Sequence, residues 1–304
     1  MKHPLLLLFC IMPFSVMAQT PFAVDLRWKI PAGDTLHYLT VMQQIDTLIL
    51  APNISDVPMK KSKAKDLEEL FEAAEEALNR TLRDIRFVTD LVPGRNDIVH
   101  VTVRMLKEKE NTDVPSAGKE KNGRKKKKDE QNMETLMEKI RSMIPEVLLR
   151  GSVYAGGGIH SFWLDRDQKN ILALFFQLPD HPVRIGQSWP LEVHLIQADQ
   201  NFVCDSSARE NRVTLTGVRT TEEDTLADLR YDYMEYLSGQ LFIPSTQQKD
   251  GGSVGITLKF DYRGKGTFSV TQGKWLKYSG IMTMDQGGVV NSHIRKLYSL
   301  REIH

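Results

Sequence analysis

The residues of this 304-residue chain that could do chemistry fall into patterns that stop short of the known catalytic spacings. A serine hydrolase needs Gly-x-Ser-x-Gly so that the nucleophile sits on a strained turn. Gly186-Gln187-Ser188-Trp189-Pro190 lacks the second glycine. A nucleotide-binding loop needs Gly-x-x-x-x-Gly-Lys followed by a hydroxyl for magnesium, whereas Gly266 to Gly273-Lys274-Trp275 has the wrong spacing and no hydroxyl. Asp165-Arg166-Asp167 opens like a calcium loop, but its arginine opposes a cation and no ligand or glycine follows at the required offsets. His37, His100, His160, His181, His194 and His293 never fall at paired ligand spacing, so a zinc site would have to be assembled by the fold alone. Glu222-Glu223-Asp224 reads as a solvated turn, while a glycosidase pair drawn from distant carboxylates stays open because spacing does not reveal it. No cofactor motif is present, and the expectation is a protein that is not an enzyme, with a hydrolase as the remote alternative.

The N-terminus predicts export. Lys2 gives a positive start, Pro4 to Phe14 is almost wholly apolar, and Val16-Met17-Ala18 fits signal-peptidase cleavage after Ala18. The apolar run is shorter than the roughly 20 residues that span a bilayer, so residues 1–18 read as a leader and the mature chain as a periplasmic or secreted protein with no transmembrane segment. Loss of Lys2 brings the 40 basic residues level with the 39 acidic ones. That balance predicts no general attraction to nucleic acid. Only Cys204 then remains, which excludes an internal disulfide, and the run Asn201-Phe202-Val203-Cys204-Asp205 predicts a buried thiol.

One charge cluster is local. Arg124, Lys125, Lys126, Lys127 and Lys128 lie in a stretch, residues 107–131, that loses all apolar periodicity and reads as a disordered insertion. With export, the run is a solvated linker, a candidate polyanion contact or a protease-sensitive tether, its field diluted by Glu108, Glu110, Glu120, Asp129 and Glu130. The insertion leaves one β-rich unit over residues 19–304, or two halves at 19–106 and 132–304.

The elements around these residues predict an α+β, β-rich fold: curved antiparallel sheets with one long amphipathic helix and short helices. Ala23–Ile30 and Thr35–Leu50 read as a hairpin turning at Gly33. Leu67, Leu70, Phe71, Ala74, Leu78, Leu82, Ile85 and Val88 recur at helical spacing and predict a helix over Ser62–Leu91, packed across the sheet. Asp97–Leu106 alternates strictly, with His100 facing away from the valines. Met133–Ile144 predicts a short helix, Leu148–Tyr154 and Ile159–Leu164 a hairpin about Gly156-Gly157-Gly158, and Gln168–Leu178 a helix docked in the core. From Trp189 onward strands follow one another without helices, which implies antiparallel pairing.

The passage Leu178-Pro179, Pro182-Val183 and Gly186-Gln187-Ser188-Trp189, with the later glycine-punctuated strands at Tyr262-Arg263-Gly264-Lys265-Gly266 and Gly287-Gly288, resembles an uncharacterised family of exported bacterial proteins. That resemblance covers about half of the mature chain and implies no activity. At the level of fold the pattern also resembles the half-barrels of periplasmic lipoprotein carriers, in which a curved sheet encloses a helix and an apolar cavity. Trp163, Trp189, Tyr231, Tyr233 and Trp275 are the candidate cavity-lining residues, with core packing as their alternative role. The expected function is that of an envelope protein binding a lipid-like ligand or a partner through its sheet. The alternative is a structural or assembly factor acting by sheet-edge pairing.

Overall fold

Alternation of side chains across a pleated strand dictates most of the architecture. In a computed structural model, which describes residues 23–53, 61–81, 83–106, 147–163, 166–196, 200–243, 252–288 and 290–303, fourteen strands and two helices account for the ordered elements. The expected leader, the helix expected at Met133–Ile144 and the basic run lie outside the described residues.

The strands are β1 (Ala23–Val24), β2 (Leu36–Gln44), β3 (Ile49–Pro52), β4 (Asp84–Pro93), β5 (Ile98–Met105), β6 (Val147–Tyr154) and β7 (Ile159–Trp163). They continue as β8 (Val183–Arg184), β9 (Ser188–Trp189), β10 (Phe202–Thr220), β11 (Thr225–Ile243), β12 (Gly252–Ser269), β13 (Lys274–Gly287) and β14 (Val290–Ile303). The helices are α1 (Lys61–Thr81) and α2 (Arg166–Phe176). One 12-stranded antiparallel sheet runs β7-β6-β5-β4-β2-β14-β13-β12-β11-β10-β9, with β3 also on β14. It is curved and open, because the terminal strands β7 and β9 do not pair with each other. The flanks of the insertion meet directly, β5 against β6, with Val99 opposite Val153 and Val101 opposite Gly151.

The concave face is apolar and the convex face charged. Tyr38, Leu91, Val101, Leu149, Tyr231, Tyr262 and Leu300 are all buried inward, while outward residues of β10 to β12 pair by charge: Arg263 bonds Asp232 at 3.0 Å, Glu210 at 3.1 Å and Asp261 at 3.2 Å. His100 is exposed between buried Val99 and Val101, as the alternation requires.

Several expectations are corrected. The helix expected over Ser62–Leu91 ends at Thr81, and the next residues form β4, where Leu36 to Gln43 of β2 pair with Leu91 back to Asp84. Among the described side chains of α1 none is fully buried, so the expected apolar stripe packed on the sheet is not seen there. Leu70 is exposed, and α1 is held by polar side chains: Asn79 accepts from the Leu48 amide at 2.7 Å and donates to the Leu48 carbonyl at 2.9 Å, and Glu75 accepts from the Leu50 amide at 2.8 Å. The expected hairpin between Ala23–Ile30 and the following strand is also absent. Val24, Leu26 and Trp28 do alternate into the core, but β1 pairs with β8, and the Trp28 amide donates to the Ala155 carbonyl at 2.9 Å. The segment plugs one end of the sheet instead of extending it. The run of strands expected from Trp189 onward also starts differently, since β9 is only Ser188–Trp189 and residues 190–196 are not strand.

Glycines carve room for aromatics on the concave face. Gly264 and Gly280 are register partners, and a Cβ at Gly280 would lie 2.4 Å from the Tyr262 hydroxyl. That hydroxyl donates to Tyr278 at 2.7 Å. Gly280→Ala is therefore expected to destabilise by about 1–3 kcal/mol through overpacking, measured by urea unfolding. Gly252→Ala, where the space is open, should change stability by less than about 0.5 kcal/mol.

Candidate functional site

A helix leaves its last carbonyls without intrahelical donors, and burying them uncapped is costly. The C-terminal end of α2 points into the core of the concave face, and three aromatic residues from distant elements supply the missing donors. Tyr278 Oη donates to the Leu174 carbonyl at 3.0 Å, Trp275 Nε1 to Phe175 at 2.8 Å and Trp28 Nε1 to Phe176 at 3.0 Å. Their rings interlock, with Phe268 edge-on to both Trp28 and Trp275 and Phe175 edge-on to Tyr278. Burial pushes the hydroxyls of Tyr231, Tyr262, Tyr278 and Tyr298 well above the usual tyrosine range, so they act as neutral hydrogen-bonding groups.

A strap, residues 190–196, runs beside the helix without belonging to the sheet. Side chains satisfy its backbone in place of a ladder. Asn211 bonds both the amide and the carbonyl of Leu191, at 2.9 and 2.6 Å, and Gln177 Oε1 accepts from the Glu192 amide at 2.8 Å. Asn170 of α2 donates to the His194 carbonyl at 2.7 Å and accepts from its amide at 2.8 Å. Tyr233 Oη and Arg209 donate to the Val193 carbonyl. Glu235, buried at 7% exposure, accepts from the amides of Leu195 and Ile196, both at 2.8 Å.

Helix, strap and sheet border two adjacent, half-open cavities. The larger, of 310 Å³, lies among Ile171, Leu174 and Phe175 of α2, Leu195 of the strap, and Phe260, Tyr262, Met282 and Tyr298 of the sheet, with Asn170 at its side. The second, of 180 Å³, shares Ile171, Phe175 and Tyr298 and is completed by Thr40, Met42, Phe87, Thr89, Val103, Leu148 and Phe176. The walls are mainly apolar or aromatic, with Asn170 and the tyrosines adding polar surface to the larger cavity, so the space suits a largely hydrocarbon ligand.

Lys296 is the next inward-facing residue along β14 from Tyr298, and lies directly opposite Met282 on one side and Gln44 on the other. It is only 7% exposed, and burial pushes its ammonium below the usual lysine range. Sequence reasoning passed over it: a lysine in a strand is ordinarily a solvated residue, and its inward register becomes visible only beside buried Ile294 and Leu300.

Among the residues anticipated from sequence, Tyr231, Tyr233, Trp189 and Trp275 are buried, with Trp275 at 0% exposure, and none of the four is among the residues lining the two cavities. The Trp189 indole N–H is buried without a partner. Trp163 pairs with Arg150 through β7. Arg124, Lys125, Lys126, Lys127 and Lys128 lie outside the described residues. Cys204 is a correction: its thiol is exposed, because it sits near the start of β10, whose outer edge there has no strand partner among the described residues.

Other chemistry-bearing groups stand apart. Ser188 shares a 2.8 Å hydrogen bond with Thr214. Ser152 Oγ lies 3.0 Å from His160 Nδ1, a nucleophile and base in contact, but Ser152 is 2% exposed and its other partner is Ser161 at 2.7 Å, so the trio reads as cross-strand packing. Among the described residues no group of three or more His, Cys, Asp or Glu side chains could hold a metal ion, and no helix is long and apolar enough to cross a membrane.

The site defines a class by geometry alone: an open antiparallel half-barrel with a helix capped inside its concavity and an apolar space beside that helix. No family model, no curated protein and no solved structure matches the chain.

Proposed function

We propose that the chain is a non-enzymatic exported protein of the cell envelope that binds one elongated apolar ligand between α2 and the concave face of the sheet. The observation that carries this reading is the pair of adjacent apolar cavities sharing Ile171, Phe175 and Tyr298. Half-open apolar space beside a helix whose last three carbonyls are already capped by side chains is a place an apolar occupant fits without competing for those bonds. The leader-like N-terminus supports export, and the family and carrier likenesses stay at the level of pattern and fold.

A fluorescent acyl probe titrated into the protein is expected to bind saturably at one site. Met282→Trp, which fills the larger cavity from its sheet wall, should weaken that binding at least tenfold while the melting transition stays cooperative. Absence of saturable binding to the unmodified protein would overturn the proposal.

A second reading rests on a different observation. β9 pairs only with Val213 and Thr214, leaving the outer edge of β10 from Phe202 to Ala208 without a strand partner among the described residues. Such an edge is a template for strand addition, and α1, with Leu70 exposed, would add apolar surface to an assembly role. Crosslinking through exposed Cys204 checks this reading: a discrete protein adduct supports it, and an exclusively monomeric product speaks against it.

A further inference from the structure

A hydroxyl shut away from water normally finds a hydrogen-bond partner, because leaving it without one costs free energy. Thr40 and Thr89 do not follow that rule in the wall of the smaller cavity. They are 5% and 2% exposed, both line that space, and no hydrogen bond to either hydroxyl occurs among the described residues. Nor is either oxygen sealed in, as Gln44 Oε1 and the Trp189 indole N–H are, so the little surface each threonine keeps includes its hydroxyl and opens into the cavity. Tyr298, which lines both cavities, has a hydroxyl that donates to the Met282 sulfur at 3.5 Å, a weak acceptor. The register makes the threonines diagonal neighbours on the concave face: Thr40 lies opposite Phe87, and Thr89, two residues along β4, lies opposite Tyr38.

We infer that the ligand is a single chain whose buried end carries an uncharged oxygen, a hydroxyl or a carbonyl, held between Thr40 and Thr89 in the smaller cavity, with the hydrocarbon running past Tyr298 into the larger one. The inference rests on the proposed apolar-ligand function and names the ligand's class and direction. Direction follows from which polar groups are free. In the larger cavity Asn170 is committed to both backbone groups of His194, and the Tyr262 hydroxyl donates to Tyr278. Charge follows from the lining, since no Lys, Arg or His is among the described residues bordering either cavity, and a carboxylate buried without a cation is costly. Volume argues for one chain: at about 30 Å³ per methylene-sized group, roughly the volume of a water molecule, 310 Å³ takes roughly ten groups, and the adjoining 180 Å³ takes about six more. At the diagonal spacing of two strands, about 7 Å between side-chain origins, one ligand oxygen between Thr40 and Thr89 can accept from one hydroxyl and, if it carries a proton, donate to the other.

The test uses dodecan-1-ol, 1-chlorododecane and dodecanoate, equal in chain length, as competitors for a fluorescent acyl probe at pH 7. The ratio of alcohol to chloride affinity in any one protein also carries the different cost of taking each ligand from water, so the readout is how that ratio changes on substitution. It should fall at least tenfold in the double variant Thr40→Val/Thr89→Val and stay within about threefold in Thr40→Ser/Thr89→Ser, which keeps both hydroxyls. Dodecanoate should compete at least tenfold more weakly than dodecan-1-ol in the unmodified protein. A ratio that survives the valine substitutions, or dodecanoate binding as well as the alcohol, overturns the assignment of an uncharged oxygen and leaves apolar binding standing. Failure of all three competitors and of the probe to bind defeats the apolar reading itself.

Melting without ligand gives a second, independent check. Valine has the shape of threonine without its hydroxyl, so where that hydroxyl has no partner the substitution removes a desolvation cost and breaks no bond. Thr40→Val/Thr89→Val should therefore melt cooperatively, at or above the temperature of the unmodified protein. A lower melting temperature would show that the two hydroxyls already bond within the protein, and would overturn the assignment.

Discussion

Trp275→Ala is expected to lower the stability of the protein by about 3–5 kcal/mol, the range for removing a large buried aromatic. Its ring is at 0% exposure, edge-on to Phe268 and inclined at 64° to Tyr278, so truncation leaves a cavity at the meeting point of the N-terminal plug, α2 and the sheet. Trp275→Phe separates the two components of that cost. Phenylalanine restores much of the volume but cannot donate to the Phe175 carbonyl, which the indole N–H now satisfies at 2.8 Å. A buried carbonyl left unpaired costs about 1–3 kcal/mol, and the phenylalanine variant should lose about that much. Urea unfolding of both variants checks the order. If Trp275→Phe unfolds with the unmodified protein, the indole cap on α2 contributes nothing, and the account of how the helix is held is wrong.

Glu235→Ala is expected to cost about 2–4 kcal/mol, because two strap amides lose a charged acceptor in a nearly dry setting. The nearby Arg209, 3.4 Å away, is 38% exposed and adds at most a few tenths of a kcal/mol. Glu235→Gln keeps an oxygen acceptor for Leu195 and Ile196 and should lose only about 1 kcal/mol. The functional consequence separates this residue from an ordinary core position. Leu195 forms part of the wall of the larger cavity, so Glu235→Ala should also weaken binding of an acyl probe more than tenfold, while Trp275→Phe leaves it within about threefold. Amide hydrogen exchange at Leu195 and Ile196 should accelerate in Glu235→Ala and stay slow in Glu235→Gln. Equal exchange in the two variants would mean that other contacts hold the strap.

Where period and burial coincide, the elements were readable from the residues. The alternation of Val99, Val101 and Val103, the compact apolar run that became α2, and the glycine turn between β6 and β7 are local patterns with one sensible packing. The helix expected through Leu91 fails for a physical reason. Ile85, Phe87, Thr89 and Leu91 also fit a period of two, and β-branched and aromatic residues placed between β2 and β5 gain more from two ladders than from another two turns of helix. Cys204 fails differently: its apolar neighbours suggest burial, yet whether a strand lies at an edge is decided by chain segments far away in sequence. The same limit hid the site. Nothing near Lys296 in sequence marks it as inward-facing, and the three donors that cap α2 come from residues 28, 275 and 278. The strap was hidden because its amides are satisfied by side chains of Gln177, Asn170, Asn211 and Glu235, a pattern with no periodicity to read.

The most direct test of the central claim, that the concavity holds one acyl chain, is native mass spectrometry of the protein purified without detergent from the cells that make it, followed by extraction and identification of any adduct. The account predicts a one-to-one complex with a single apolar chain that is lost from Met282→Trp. A protein that emerges bare, and stays bare when incubated with single-chain lipids, would contradict it.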